Sequence, residues 1–405
     1  MSESEAWKYV QPKIDALSKR VKALEWEPIR RNSFMPYTPY GNTPYVDLEG
    51  EKLLMMSGYG YIGLNGDPRV VGAAQAAVEK YGTGLPGVRA LAGTTPLHEE
   101  LEDEVAKFLG RDKGLVFSSG YAGNIGTIGA VAGPGDTIVL DKLAHASLVD
   151  GAQLSGATVT RFRHNDAGHL DRRLAEVTKT GTILVIVDSV YSMDGDIAPL
   201  PELREVCDKH NALLMVDEAH ALGVIGATGR GIEEHFNYEF KADIKVGTLS
   251  KAIPANGGWL VGPEDFMYYM KRAARPFLFS AALAPAQLGA GLESLRILDK
   301  EPWRVQYAQQ ESTRFRDILK EAGMDTGDSE TAVVPLIVGS SENAFDYSTE
   351  LRRAGVIGIP VITPAVPPSL SRLRIAITAA HSRQDLDTAI AAFLDAARKL
   401  KFIDV

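Results

Sequence analysis

The sequence predicts an α/β fold: a mainly parallel central sheet flanked by helices, followed by a smaller α+β domain at the C-terminus. Three observations predict it. First, 405 residues are too many for one small core and call for two domains, or one large domain with a smaller partner. Second, β-rich runs recur at GLVFSS, TIVL, TILVIVD, ALLMVD and IKVGTLS, with helical stretches such as TPLHEELEDEVAKFLG and PLPELREVCDKHN between several of them. Buried strands alternating with helices make a parallel sheet wound on both faces. Third, the texture changes after about residue 290. A long helix-like region leads to TAVVPLIVG, LRRAGVIGIPVITP and RLRIAIT, then to a closing helix at DLDTAIAAFLDAARKLK.

In chain order, residues 1 to about 30 read as a helix, with Ile14, Leu17, Val21 and Leu24 at helical spacing. RRNSFMPYTPYGNTPY interrupts that pattern with three prolines and reads as an irregular arm. TPLHEELEDEVAKFLG begins with Thr95 as N-cap and Pro96 in the first turn, and Gly110 follows its last turn. The expected division is an N-terminal helix and arm over 1–45, a large domain over 46–288 and a small domain over 289–405. Ligands of open parallel sheets sit at the carboxyl ends of the strands. FSSGYAGN, VDSVYSMDGD, MVDEAHALG and GTLSKA each follow a β-like run, so they are expected to converge on one site.

Composition narrows the function classes. Hydrophobic residues make up 45% and charged residues 23%, as in ordinary soluble proteins. A formal net charge of −9 gives no general basic footprint for nucleic acid, so any anion site must be local. The one cysteine, Cys207, excludes an intrachain disulfide and a cysteine metal cluster, and reads as a small core residue. No metal site is expected. MSESEAWKYVQPK lacks the basic start and apolar stretch of a signal peptide, and no segment approaches the roughly 18 apolar residues of a membrane span. The simplest location is the cytoplasm.

The chemistry is carried by the strand-end clusters. Asp217 ends an apolar strand, so its carboxylate should be partly buried and needs a cationic partner. A protonated ring nitrogen of a cofactor would serve, with His220 pointing to the same cavity. A helix-terminal Asp beside a packing His is the plainer alternative. Lys251 follows Thr248 and Ser250. Most lysines are solvated surface groups, but a desolvated one is a nucleophile. Two hydroxyls beside an amine suit a molecule with both a phosphate and a carbonyl, and pyridoxal phosphate has both. The residue order is wrong for a GxxxxGK[ST] nucleotide loop. Ser119, Gly120 and Tyr121 sit at a strand-to-helix turn whose free N–H groups suit phosphate. His145, in DKLAHASLVDG, is placed to stack on a flat ring or to serve as an ordinary loop histidine.

Taken together, GVRALAGTTPLHEELE, FSSGYAGN, HAS, HND, YSMDGD, DEAHALGVIGATGRG, GTLSKA and RLRIAITAAH resemble, in order, the α-oxoamine synthases. These are a branch of the fold type I pyridoxal-phosphate enzymes, and the resemblance runs from about Tyr61 to His381. It implies a fold type I transferase whose large domain binds pyridoxal 5'-phosphate. Lys251 resembles the lysine bonded to the cofactor, Asp217 the partner of its ring nitrogen, and His145 the stacked histidine. His220 and Ser192 match residues near the phenolic oxygen. Ser119, Gly120, Tyr121, Thr248 and Ser250 match phosphate-binding positions. Arg374 resembles the arginine that grips the amino-acid carboxylate, a task suited to a bidentate guanidinium. The implied reaction is a decarboxylative condensation of a small amino acid (glycine, alanine or serine) with an acyl thioester on CoA or a carrier protein. It yields an α-aminoketone, carbon dioxide and free thiol. The resemblance also implies a homodimer with shared sites, in which Ser280 reaches the partner's cofactor.

Three departures stand out. Relatives often carry Asn before YLGL, where this chain has Tyr59 and Gly60 in SGYGYIGL, so Tyr59 is a candidate substrate contact. Val88 precedes Arg89 where many relatives have Ser or Thr, and Ala281 follows Ser280. Pro254 replaces a usual glycine and should stiffen a loop after Lys251. Arg30 and Arg31 are a further basic pair, able to meet an acidic acyl group but read as solvated. Two other readings stand beside the leading one: an aminotransferase or lyase on the same fold, and a non-catalytic synthase subunit. The HAS, HND and RLRxxxxAAH motifs argue against the first. Retention of Lys251, Asp217 and both histidines argues against the second.

Overall fold

Apolar strands five to nine residues long build the central sheet of the computed structural model, which describes residues 5–16, 35–178 and 180–404. They are β1 (Lys113–Phe117), β2 (Thr137–Asp141), β3 (Thr158–Phe162), β4 (Ile183–Asp188), β5 (Leu213–Asp217), β6 (Ile244–Ser250) and β7 (Pro254–Gly262). Their order across the sheet is β1-β7-β6-β5-β4-β2-β3. Pairing is parallel from β3 through β6, and β7 runs antiparallel to both β6 and β1. Every residue of β4 is buried, as expected for a strand covered on both faces.

The five β-rich runs of the sequence thus become β1, β2, β4, β5 and β6. Two strands were not anticipated. β3 lies at the sheet edge with only Phe162 fully buried, so its sequence TVTRF carries no apolar run. β7 contains Pro254, read from sequence as part of a stiff loop; the structure corrects this, placing it first in the strand, opposite Ser250. An opening position spares proline most of the ladder it cannot donate to, and the register shifts between Pro254 and Gly258.

The expected cap is present at Thr95, with Pro96 opening the helix Pro96–Phe108, and Gly110 has the positive φ of 64° that ends a helix cheaply. Helix Pro285–Lys300 packs on Pro68–Tyr81 and Pro96–Phe108, and its buried face joins the core of the large sheet. Cys207 is free and buried in that core.

The C-terminal part has its own core, including Phe315, Tyr347, Leu373 and Phe393. It lies between helices Trp303–Glu321, Ser341–Arg353 and Arg383–Lys399 and a three-stranded antiparallel sheet. In that sheet Ser371–Ala376 is flanked by Val333–Gly339 and Ile359–Val361. The arm is more ordered than its prolines suggest. Thr38–Pro39 and Tyr45–Leu48 form a third sheet with Glu51–Met55 and Val356–Ile357, the last pairing parallel to Glu51–Met55. Of the expected N-terminal helix, Glu5–Tyr9 is a 3-10 turn and residues 11–16 are helical; Leu17, Val21, Leu24, Arg30 and Arg31 lie outside the described residues. Among the described residues, no helix is long and apolar enough to cross a membrane.

One close approach ties β6 to β7. Gly247 faces the fully buried Trp259 directly, and a Cβ at 247 would sit 2.4 Å from the indole ring. Gly247→Ala is therefore expected to overpack this pair and to destabilise the protein by about 1–3 kcal/mol. Chemical denaturation measures this, and an unchanged midpoint would refute the packing argument.

Candidate active site

The ends of β1, β4, β5 and β6 bring the four sequence clusters to one edge of the sheet. Beside them lies a cleft of about 560 Å3, lined by Tyr59, Met193, Ser250, Lys251, Pro254 and Arg374 among others. The arm between Tyr37 and Val46 supplies one wall.

Lys251 is the first residue beyond β6. Its Nζ lies 5.5 Å from the centre of the Tyr59 ring. Burial pulls its amine below the ordinary lysine range, and the Arg374 guanidinium adds to this; Asp217 and Asp188 oppose the shift without cancelling it. Asp217 ends β5 and is buried. Its carboxylate accepts 2.7 Å from Asn124 Nδ2 and 2.9 Å from the Ala219 N–H, both neutral donors. Burial and the Asp217 charge push the neighbouring Asp188 well above the usual carboxylate range.

Arg374 projects from the strand Ser371–Ala376. Its Nε donates to the Ser192 carbonyl at 2.7 Å and one Nη to the Tyr61 hydroxyl at 2.8 Å. Its other Nη is buried with no hydrogen-bond partner among the described residues, and the guanidinium carbon lies 4.7 Å from the Tyr59 ring centre. The Tyr61 hydroxyl in turn meets His220 Nδ1 at 2.9 Å. Burial holds His220 well below its ordinary pKa, with the charges of Lys251, Arg374 and His145 adding to the effect. His220 is thus neutral near pH 7, and Tyr61 donates to its Nδ1.

Ser119 caps helix Gly120–Val131, its Oγ accepting from Ala122 N–H at 3.0 Å. A Cβ at Gly120 would stand 2.9 Å from Thr248 Cβ, so this turn meets β6 only because position 120 is glycine. Thr248 Oγ1 lies 2.8 Å from Ser250 Oγ. Free N–H groups at a helix start beside two hydroxyls make an anion cradle. Tyr121 is exposed and its hydroxyl bonds Asp150. Ser192 meets the cluster through its carbonyl. Ser280 does not line the cleft; it is half-buried beside the Val88–Ala281 bridge. At the departure near Tyr59, a side chain on Gly60 would strike Asn65, whose Oδ1 lies 2.1 Å from that Cβ position and which lines the cleft.

His145 caps helix Ala146–Ser155, and its N–H donates to Asp188 at 2.9 Å. The protein packed around its partly exposed ring lowers its pKa, with the Lys251 charge adding and Asp217 opposing. Below it, HND gains a role that the motif alone did not give. His164 bonds Asp141 at 3.0 Å and Asp196 at 2.7 Å, clamping the end of β2 to the β4 loop. Sequence reasoning also gave no role to Tyr61, Asn124 or Ser147. All lie inside quoted motifs, but residue type alone did not mark them.

The fold and this site define a fold type I pyridoxal-phosphate transferase. The sequence matches the family described as Aminotransferase class I and II over residues 51–393. An 8-amino-7-oxononanoate synthase of Thermoanaerobacter pseudethanolicus is 39% identical over 96% of this chain and 98% of its own length. A serine palmitoyltransferase of Sphingobacterium spiritivorum is 37% identical over 85% of this chain and 86% of its own length. A serine palmitoyltransferase from S. paucimobilis, solved with bound PLP, superposes with a TM-score of 0.91 at 31% identity, over 99% of this chain and 100% of that one. The chain belongs to the α-oxoamine synthases, pyridoxal-phosphate enzymes that join an amino acid to an acyl thioester. The residues present fit that cofactor: an anion cradle, a buried carboxylate with neutral donors, and an amine held below its ordinary pKa.

His164 also sets a pH dependence. Burial pulls its pKa down, but Asp141 and Asp196 outweigh this and raise it to about 10. An ordinary histidine titrates near about 6.5, so the native state keeps a proton that the unfolded chain releases between those values. This stabilisation is full below about pH 6.5 and is lost as pH rises through about 10. Thermal melts should show the native protein losing stability more steeply than His164→Gln over that window. Equal slopes would refute the clamp.

Proposed function

We propose that the chain condenses a small amino acid (glycine, alanine or serine) with an acyl thioester, releasing carbon dioxide and free thiol and leaving an α-aminoketone. The observation that carries this is the buried Arg374 Nη with no partner among the described residues, in the same cleft as Lys251. A buried donor of this kind is costly unless a ligand satisfies it, and a carboxylate matches the guanidinium fork. The Tyr59 ring, within 5.5 Å of Lys251 and 4.7 Å of Arg374, restricts the space between them and favours a short side chain.

In this reading the Ser119–Gly120–Tyr121 turn, Thr248 and Ser250 would hold the cofactor's phosphate, and Asp217 would pair with its ring nitrogen. His145 would pack against the ring, His220 and Ser192 would stand near its phenolic oxygen, and Lys251 would hold it covalently. The bound cofactor supplies an electron-poor ring that stabilises negative charge at the substrate's α-carbon. Arg374 fixes the substrate carboxylate, and the Lys251 amine takes and returns the α-proton, which its lowered pKa suits near neutral pH. Neutral His220 donates from Nε2, because Tyr61 occupies Nδ1.

Substitution separates these roles. Lys251→Ala should lose the visible absorbance of covalently bound cofactor and thiol release together. Arg374→Ala should raise the amino-acid KM by about 30-fold or more while cofactor absorbance persists. Thiol release is measured with glycine, alanine or serine against acyl-CoA and carrier-protein thioesters; no release with any pair would overturn the reading.

A cytoplasmic homodimer completes the proposal. Its support is the exposure of Leu91 at 83% and Phe279 at 72%, flanking the Val88–Ala281 bridge next to Ser280. Sedimentation should give twice the chain mass, and a fully active monomer would refute the dimer.

A further inference from the structure

We propose that Asn124 is a positioning residue for Asp217 and His145. Its carboxamide nitrogen orients the Asp217 carboxylate and, through Ser147, fixes His145 as the neutral tautomer protonated on Nε2. The importance of this pair rests on the cofactor roles proposed above; the hydrogen-bond chain itself does not.

Asn124 is buried in helix Gly120–Val131, and Ser147 is buried in the first turn of helix Ala146–Ser155. Asn124 Nδ2 lies 2.7 Å from Asp217 Oδ2 and 2.8 Å from Ser147 Oγ. The carboxamide has two N–H groups and both are used. The flipped orientation would set two oxygen acceptors face to face at 2.7 Å, so the nitrogen assignment follows from the carboxylate. Ser147 Oγ accepts from Asn124, which leaves its own proton to donate. His145 Nδ1 stands 2.7 Å away to receive it. The Ser147 backbone N–H points to that same nitrogen at 3.2 Å. A nitrogen that receives two donors carries no proton, so the ring proton sits on Nε2.

The charged groups around the ring are Asp217, Asp150, Lys251 and Asp188, the last accepting the His145 N–H at 2.9 Å. Their influences oppose one another, and packing of the protein around the ring lowers its pKa. One carboxamide therefore serves two elements of the site. It donates to the Asp217 carboxylate, and through Ser147 it leaves His145 Nδ1 as an acceptor.

Nitrogen NMR of the full chain labelled with 15N-histidine tests this, with and without pyridoxal phosphate. His145 is assigned by the signal lost in His145→Gln. The expected native spectrum has an unprotonated Nδ1 and a protonated Nε2 at about pH 8. Asn124→Leu removes both donors and frees Ser147 Oγ to turn away from His145, so the His145 Nδ1 resonance should move. Asn124→Ala should weaken pyridoxal-phosphate binding about tenfold. A protonated Nδ1 in the native protein, or an Asn124→Leu spectrum identical to the native one, would overturn the proposal. The spectrum without cofactor reports on the tautomer even if the substrate reading fails.

Discussion

The structure depends on holding one carboxylate, Asp217, at the tip of a buried strand. Removing such a charge from water costs several kcal/mol unless the protein replaces its solvation. Asn124 and the Ala219 N–H do part of that work. The charge then organises its surroundings. It raises the neighbouring Asp188 and steadies the Lys251 amine against the stronger pull of burial. A parallel sheet places such groups together because all its strands present their carboxyl ends on one side.

Cation and proton placement follow the same economy. Arg374 is buried close to Lys251, and two positive charges in one cleft would be unfavourable if both were fully expressed. The amine yields, since burial and Arg374 both lower its pKa. His220 also stays neutral, and the chain Arg374–Tyr61–His220 passes hydrogen bonds instead of charge. The substrate's carboxylate and its α-proton can thus be handled by different groups within one small volume. The Tyr59 ring stands beside both Arg374 and Lys251 on the wall of that volume.

Much of this was legible in the sequence because it rests on strong local signals. Apolar runs fixed the five central strands, and Thr95, Pro96 and Gly110 marked a helix with known end chemistry. Asp217 and His220 stood out because they follow an apolar run that ends a strand, whereas Lys251 gained weight from its hydroxyl neighbours and Arg374 only from the resemblance of RLRIAITAAH. Tyr61, Asn124 and Ser147 were not legible, since a buried Tyr, Asn or Ser has many ordinary uses and only geometry separates them. Pro254 misled because its strand position is tolerated only by its place at the start of β7. The pairing of Glu51–Met55 with Val356–Ile357 joins segments about 300 residues apart, and no local pattern announces it.

That pairing has a mechanical consequence. Because Glu51–Met55 is hydrogen-bonded to Val356–Ile357, the segment that follows the arm is attached to the C-terminal unit rather than to the large sheet. The same unit carries Arg374. Its Nε bonds the Ser192 carbonyl in the loop after β4, and Arg372 bonds Asp194 in that same loop. Load on either unit is therefore passed to the other at the rim of the cleft, through a guanidinium that lines it.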